Sequence, residues 1–168
     1  MTDDEIIDAI IDAEGEGTPP YIVNGDKGGR TRWGISERAH PAAWRNGPPS
    51  RDTAVIIYRT EYVKPWSFVE YEPLKRQLID CNVVHGRRLT TTWIQCLLAP
   101  WNEIVDGVLG ERTRTTIRIV TLNPLSRHLL NNALVALRLK FIDDMTDTQK
   151  SQKPFEEGWE SRALRFVL

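Results

Sequence analysis

The sequence has few residues able to hold a metal or staple the chain. It has two cysteines, Cys81 and Cys96, and three histidines, His40, His85 and His128, in 168 residues. None falls in a CxxC pair or a His/Cys cluster at metal-ligand spacing. The chain is therefore expected to need no metal and no cofactor, and both thiols are expected to be reduced and buried. Long apolar runs are missing as well. No stretch approaches the roughly 18 residues of a membrane span, which predicts no stable membrane insertion. The opening MTDDEIIDAI is acidic and lacks the basic start and apolar core of a signal peptide. That predicts accumulation in the cytoplasm, so a target outside the membrane would require another component for release. There is no 20–50-residue repeat and no nucleic-acid motif.

The residues that are present suit a compact domain, or one domain with a small subdomain. The 40% hydrophobic and 27% charged fractions are ordinary for a globular protein. Six Trp is high for this length. Core packing is one use for them, and stacking on flat sugar rings is another. The net charge of −1 conceals an uneven distribution. Residues 1–72 carry 8 basic and 13 acidic groups, a net of −5. Residues 73–140 carry 10 and 4, a net of +6. Residues 141–168 carry 4 and 6, a net of −2. A basic middle can dock on a polyanion such as an anionic cell wall, or can be a solvated helix face.

Periodicity and caps predict a mainly α chain. Thr2 and Glu5 form a capping box ahead of a helix over 2–14, in which Ile7, Ile10 and Ile11 share one face. Glu14 continues that apolar stripe. The Gly-, Pro- and Asn-rich stretch that follows predicts a loop and small β-hairpin near residues 18–36, with turns at Asn24-Gly25 and Gly28-Gly29. Residues 41–50 read as a loop. Helices are expected at 51–64, 73–84, 87–98, 111–121 and 125–144, a loop from Thr146 to Pro154, and a last helix over 155–167. The organisation expected is a catalytic lobe over 1–72 and a helical lobe over 73–168.

The chemistry-bearing constellation is Glu14, Asp26 and Thr31. Glycoside hydrolysis needs a protonated acid at the leaving oxygen and a second group to handle water or a cationic sugar. A carboxyl held against apolar side chains keeps its proton more readily than one in a solvated turn. Glu14, on the apolar stripe, is placed for the first role. Asp26, in a Gly-rich segment, is placed for the second, with Thr31 holding a water or orienting Asp26. A Glu at a helix end is also commonly a solvated charge, and an Asp in such a turn commonly bonds its own backbone.

These residues carry a resemblance. Glu14-Gly15, then Asp26-Lys27-Gly28-Gly29-Arg30-Thr31, then Trp33-Gly34-Ile35-Ser36 resemble the signature of glycoside hydrolase family 108. The likeness continues through Ala54–Lys64, with its Y-x-x-x-Y pattern, and through Leu78-Ile79-Asp80 and Gly86. Val105-Asp106-Gly107-Val108-Leu109-Gly110 with Thr113 resembles a motif of the predicted peptidoglycan-binding subdomain paired with that hydrolase. Gly158-Trp159 with Arg162-Ala163 resembles its last helix. The resemblance implies a lysozyme-like helical fold and an N-acetylmuramidase that cuts the β-1,4 bond from N-acetylmuramic acid to N-acetylglucosamine in peptidoglycan. It implies a bacteriolytic phage endolysin, active as a monomer and released from the host cytoplasm to the wall by a holin-like protein. It makes Glu14 the catalytic acid, with Asp26 and Thr31 as helpers. A lytic transglycosylase and an inactive wall-binding or phage structural protein are the alternatives.

Some positions depart from the pattern. Glu16 replaces the second Gly of E-G-G and rivals Glu14, Thr18-Pro19-Pro20 look inserted, and Val84 stands where the family has Asn. Tyr21 and Trp33, near the hairpin, are candidates for sugar contact, as are Asp80 and His85. Trp44, Trp66, Trp93 and Trp159 are read as packing, and Asp106-Gly107 as a turn.

Overall fold

The computed structural model describes residues 2–14 and 29–168 of the chain. Among these residues it is mainly α, with seven α-helices and one two-stranded antiparallel sheet, the class expected. It divides into two compact units, Met1–Pro65 and Trp66–Leu168. The 72/73 boundary expected from sequence falls in the first turn of a helix of the second unit.

In the first unit, α1 spans Asp3–Ala13 and opens with the expected capping box. Glu5 N donates to Thr2 Oγ1 at 3.2 Å, and Thr2 N to Glu5 Oε2 at 2.6 Å. Asp3, Asp4 and Glu5 lie where the helix dipole favours negative charge. Ile6, Ile7, Ile10 and Ile11 are all buried. Each such side chain contributes about 1.5–3 kcal/mol on removal from water. The hairpin pairs β1 (Thr31–Arg32) with β2 (Ile35–Ser36), Thr31 opposite Ser36 and Arg32 opposite Ile35. Its two-residue turn is Trp33-Gly34, both with positive φ, 54° and 73°. The turn at Asn24-Gly25 and Gly28 lies outside the described residues. A 3-10 turn at Pro41–Trp44 opens the segment expected as loop.

The helix expected over 51–64 is two different structures. Helix α2 (Arg51–Ile57) is capped by Ser50, whose hydroxyl accepts from Thr53 N at 3.1 Å. A π-helical stretch, Tyr58–Val63, follows directly. Thr60 Oγ1 donates back to Ile56 O at 2.8 Å, a side-chain bond that competes with regular helix bonding. Arg51 and Arg59 bind Asp8 and Asp4 of α1, both at 2.5 Å. These exposed pairs set register more than stability.

In the second unit, α3 (Glu72–His85) and α4 (Arg87–Leu98) meet at Gly86, whose φ of +80° breaks the helix. Helix α5 (Glu111–Leu122) precedes α6 (Pro124–Thr148), which has Pro124 in its first turn and Asn123 as a cap accepting from Ser126 N at 3.0 Å. Helix α6 runs past the expected end at 144, and a 3-10 segment, Lys150–Phe155, occupies the expected loop before α7 (Glu156–Leu164). Helix α6 is central and packs on α3, α4, α5 and α7. Leu74, Leu78, Ile79, Ile94, Leu98, Ile117 and Leu134 are fully buried. Cys81 is buried as expected, but Cys96 is exposed. Cys96 falls between the buried pair Ile94-Gln95 and buried Leu98, on the outward arc of α4.

Candidate active site

Glu14 is the C-cap of α1, with its N–H bonded to Ile10 O at 3.0 Å, and it is half-buried. Its aliphatic stem lies against the hairpin turn. A β-carbon placed on Gly34 would sit 2.9 Å from Glu14 Cγ, 3.3 Å from Glu14 Cβ and 2.1 Å from the Tyr58 hydroxyl. Only a residue without a side chain lets the turn approach the helix end so closely, and the positive φ of Gly34 requires the same choice.

Trp33, the other turn residue, is not one that favours positive φ. Backbone strain of this kind costs about 1–3 kcal/mol and persists only where surroundings impose it. Two contacts do so here. The Tyr58 hydroxyl donates to Trp33 O at 3.0 Å, and the Arg32 guanidinium lies 5.5 Å from the Trp33 ring. The Trp33 side chain is 9% exposed, and its Nε1 has no hydrogen-bond partner among the described residues.

The π-helical stretch supplies the next layer. Tyr58 and Tyr62 sit four positions apart, with ring centroids at 5.4 Å. Tyr62 Oη lies 3.1 Å from His40 Nε2, and His40 Nδ1 is 3.8 Å from Glu61. Burial raises the Tyr62 phenol above its ordinary pKa, and the carboxylates of Glu61 and Glu14 raise it further. Tyr62 therefore stays a neutral donor and acceptor in the electrostatic neighbourhood of Glu14. Sequence reasoning had not singled out Tyr58, Tyr62 and His40. The available signal was the Y-x-x-x-Y spacing, since π-helical insertions occur disproportionately at functional sites.

Thr31 is in β1, half-buried, within the same hairpin as the turn against Glu14. Asp26, Tyr21 and Glu16 lie outside the described residues. Among the described residues of this unit, then, the structure brings together Glu14, Trp33 and Gly34 with Tyr58 and Tyr62.

Asp80 and His85 lie in the second unit. Asp80 is 8% exposed and accepts from Arg138 Nη2 at 2.6 Å and from Arg162 Nε at 2.8 Å. Arg138 is itself 1% exposed, and its Nε and Nη1 have no partner among the described residues. His85 is boxed by Trp93 and Phe141, with ring centroids at 4.9 and 5.4 Å. Burial lowers its pKa to about 4, and the Arg138 charge acts in the same direction. Burial also pushes the neighbouring Cys81 thiol up to about 12.

The Val105–Gly110 motif is organised by Gln95. Its Nε2 donates to Asp106 Oδ1, Val108 O and Thr113 Oγ1 at 2.9–3.1 Å. Its Oε1 accepts from Asp106 N at 3.2 Å and Gly107 N at 2.8 Å. Asp106 also accepts from Val108 N at 2.8 Å, and these bonds hold its carboxyl below the usual range. Asp106-Gly107 is the expected turn, with Gly107 at φ +73°. Among the described residues, no group of three His, Cys, Asp or Glu side chains is placed to hold a metal.

Residues 7–86 match the family model described as Glycosyl hydrolase 108, and residues 90–164 the model described as Predicted Peptidoglycan domain. The junction between the two segments is the Gly86 break between α3 and α4. No curated protein matches the chain. Among solved structures, one titled "Structure of Brucella abortus SagA" is similar over 98% of this chain and 94% of that one, with 22% identity and a TM-score of 0.64. At that identity the likeness establishes a shared fold, in keeping with the lysozyme-like architecture the sequence motifs imply.

Proposed function

From the match of residues 7–86 to the glycosyl hydrolase 108 family model we propose that the chain is a muramidase with Glu14 as its general acid. The chain is a glycosidase directed at peptidoglycan, as the family match and the adjoining predicted peptidoglycan domain indicate. The bond proposed is the β-1,4 link from N-acetylmuramic acid to N-acetylglucosamine. The observation that carries the reading is the placement of Glu14. It is half-buried at the end of an apolar helix, against a strained glycine turn and beside neutral Tyr62.

In the proposed reaction the Glu14 carboxyl protonates the glycosidic oxygen as the C–O bond breaks. Asp26 stabilises the positive charge on the sugar or activates the water that adds to it, and Thr31 orients Asp26 or that water. The net change is one bond hydrolysed and one water consumed. The role proposed is that of a phage endolysin, acting on the wall as a monomer after release by a holin-like partner.

The test is clearance of purified cell wall by the parent and by Glu14→Gln. A general acid contributes about 10²–10⁴-fold, so the variant is expected to lose at least the lower figure while melting normally. Mass spectrometry of the parent's products is expected to show reducing-end N-acetylmuramic acid. An anhydro-sugar would instead identify a lytic transglycosylase. A Glu14→Gln variant that clears walls at the parent's rate refutes the assignment.

A further inference from the structure

The second unit carries a groove of about 530 Å³ that neither the hydrolytic reading nor its residues account for. Glu70 and Tyr71, ahead of and beginning α3, line it together with Arg118, Ile119 and Leu122 of α5 and Arg127 of α6. Its size is that of a small-molecule or short-peptide site. Ile119 and Leu122 are 58% and 77% exposed, and Leu125 and Leu129 continue the apolar surface beyond the α5–α6 corner. Large aliphatic side chains grouped in water mark a surface that something covers.

The polar groups say what covers it. The Arg127 guanidinium lies over the Tyr71 ring at 4.7 Å, and that ring also stacks with His128 at 5.7 Å and 22°. No carboxylate among the described residues pairs with Arg127, and its Nε is buried without a hydrogen-bond partner. Stacking fixes a guanidinium in plane and leaves its N–H edge for a carboxylate. Arg118, by contrast, is tied to Glu111 at 3.1 Å. Glu70 lies in the same groove, is exposed, and has no cation partner among the described residues.

One uncompensated cation, one uncompensated anion and aliphatic surface are complementary to a short peptide of small side chains bearing both a free carboxylate and a free ammonium. Sugar rings and nucleobases call for an open aromatic face, and the Tyr71 ring is already stacked by Arg127 and His128. Polyphosphates and anionic lipids would be repelled by Glu70. We propose that this groove binds the stem peptides of peptidoglycan, with a peptide carboxylate on Arg127, an ammonium on Glu70 and alanine methyls on Ile119 and Leu122. The proposal rests on the peptidoglycan reading and adds a peptide-recognition site to it.

The test is calorimetric titration of the full chain with the free tetrapeptide L-Ala-γ-D-Glu-meso-diaminopimelate-D-Ala. The parent is expected to bind, and Arg127→Gln to weaken binding at least about tenfold, a loss of about 1.4 kcal/mol. Acetylating the diaminopimelate amine, the one left free in peptidoglycan where the L-Ala amine is amide-linked, is expected to weaken binding to the parent and to leave binding to Glu70→Gln unchanged. Leu122→Glu, at a strongly exposed position, is the second variant if Arg127→Gln melts early, and is expected to lose binding to a similar extent. Absence of binding by the parent, or equal binding by Arg127→Gln, overturns the proposal. The titration needs no turnover. A chain that clears walls but ignores the peptide sinks this site alone, whereas clearance by Glu14→Gln at the parent's rate sinks the Glu14 assignment alone.

Discussion

The hairpin region of the first unit and the ion centre of the second hold their acidic residues in opposite ways. Asp80 sits between two arginines, one fully buried, and both of its oxygens accept short hydrogen bonds. Removing either partner of a buried, doubly paired carboxylate strands charge in a poor solvent. Glu14 lies at a helix end, half in water, against a turn that stores backbone strain. Strain and partial burial at one place are features of sites organised for something other than stability. Motif residues of the same chemical type are thus locked between arginines in one unit and left half in water at a helix end in the other.

The severest way to break this contrast is Asp80→Asn. It leaves Arg138 without its counter-charge and is expected to destabilise by about 3–5 kcal/mol. Denaturant melts would measure that loss, and activity per folded molecule is expected to be retained. Gly34→Ala comes next. The positive φ alone costs about 1–2 kcal/mol for a residue with a β-carbon, and the approach to the Tyr58 hydroxyl adds to it. Wall clearance is expected to fall more steeply than stability, because the added methyl pushes on Glu14. Combining it with Tyr58→Phe relieves the tightest contact, so a double-mutant cycle should show part of the stability returning. Strict additivity in that cycle would mean the hydroxyl is not the obstacle.

A pH slope offers a further test of the contrast. The His85 pKa is lowered from 6.5 to about 4 in the folded chain, so between those values the unfolded chain binds the extra proton. Stability is therefore expected to fall as pH drops through that window, and to level off below it. In His85→Gln that component of the slope should vanish. Thermal melts at several pH values would decide it, and an unchanged slope in the variant would show that His85 is not shielded by Trp93 and Phe141.

Much of the helical framework was legible because its signals are local. Thr2 with Glu5 and the Ile stripe of α1 act within a few residues of where they stand. Other features depended on contacts the chain makes with distant parts of itself. The step from α2 to a π-helical stretch at Tyr58 leaves the apolar periodicity nearly intact, so 51–64 reads as one helix. The turn at Trp33-Gly34 goes unmarked because Trp is not a residue that turn rules favour. Its conformation is held by a hydroxyl 25 positions away. The exposure of Cys96 follows from which arc of α4 faces the core.

By itself, then, the order of residues decided the α-rich class, most helix positions, the hairpin near Glu14 and the family motifs in sequence. Backbone propensity and apolar spacing act over one or two turns, and that is all such features require. Which carboxylates are locked in ion pairs and which lie half in water was decided only by folding. Arg138 and Arg162 reach Asp80 from 58 and 82 positions away, and electrostatics follows distance in space rather than distance along the chain.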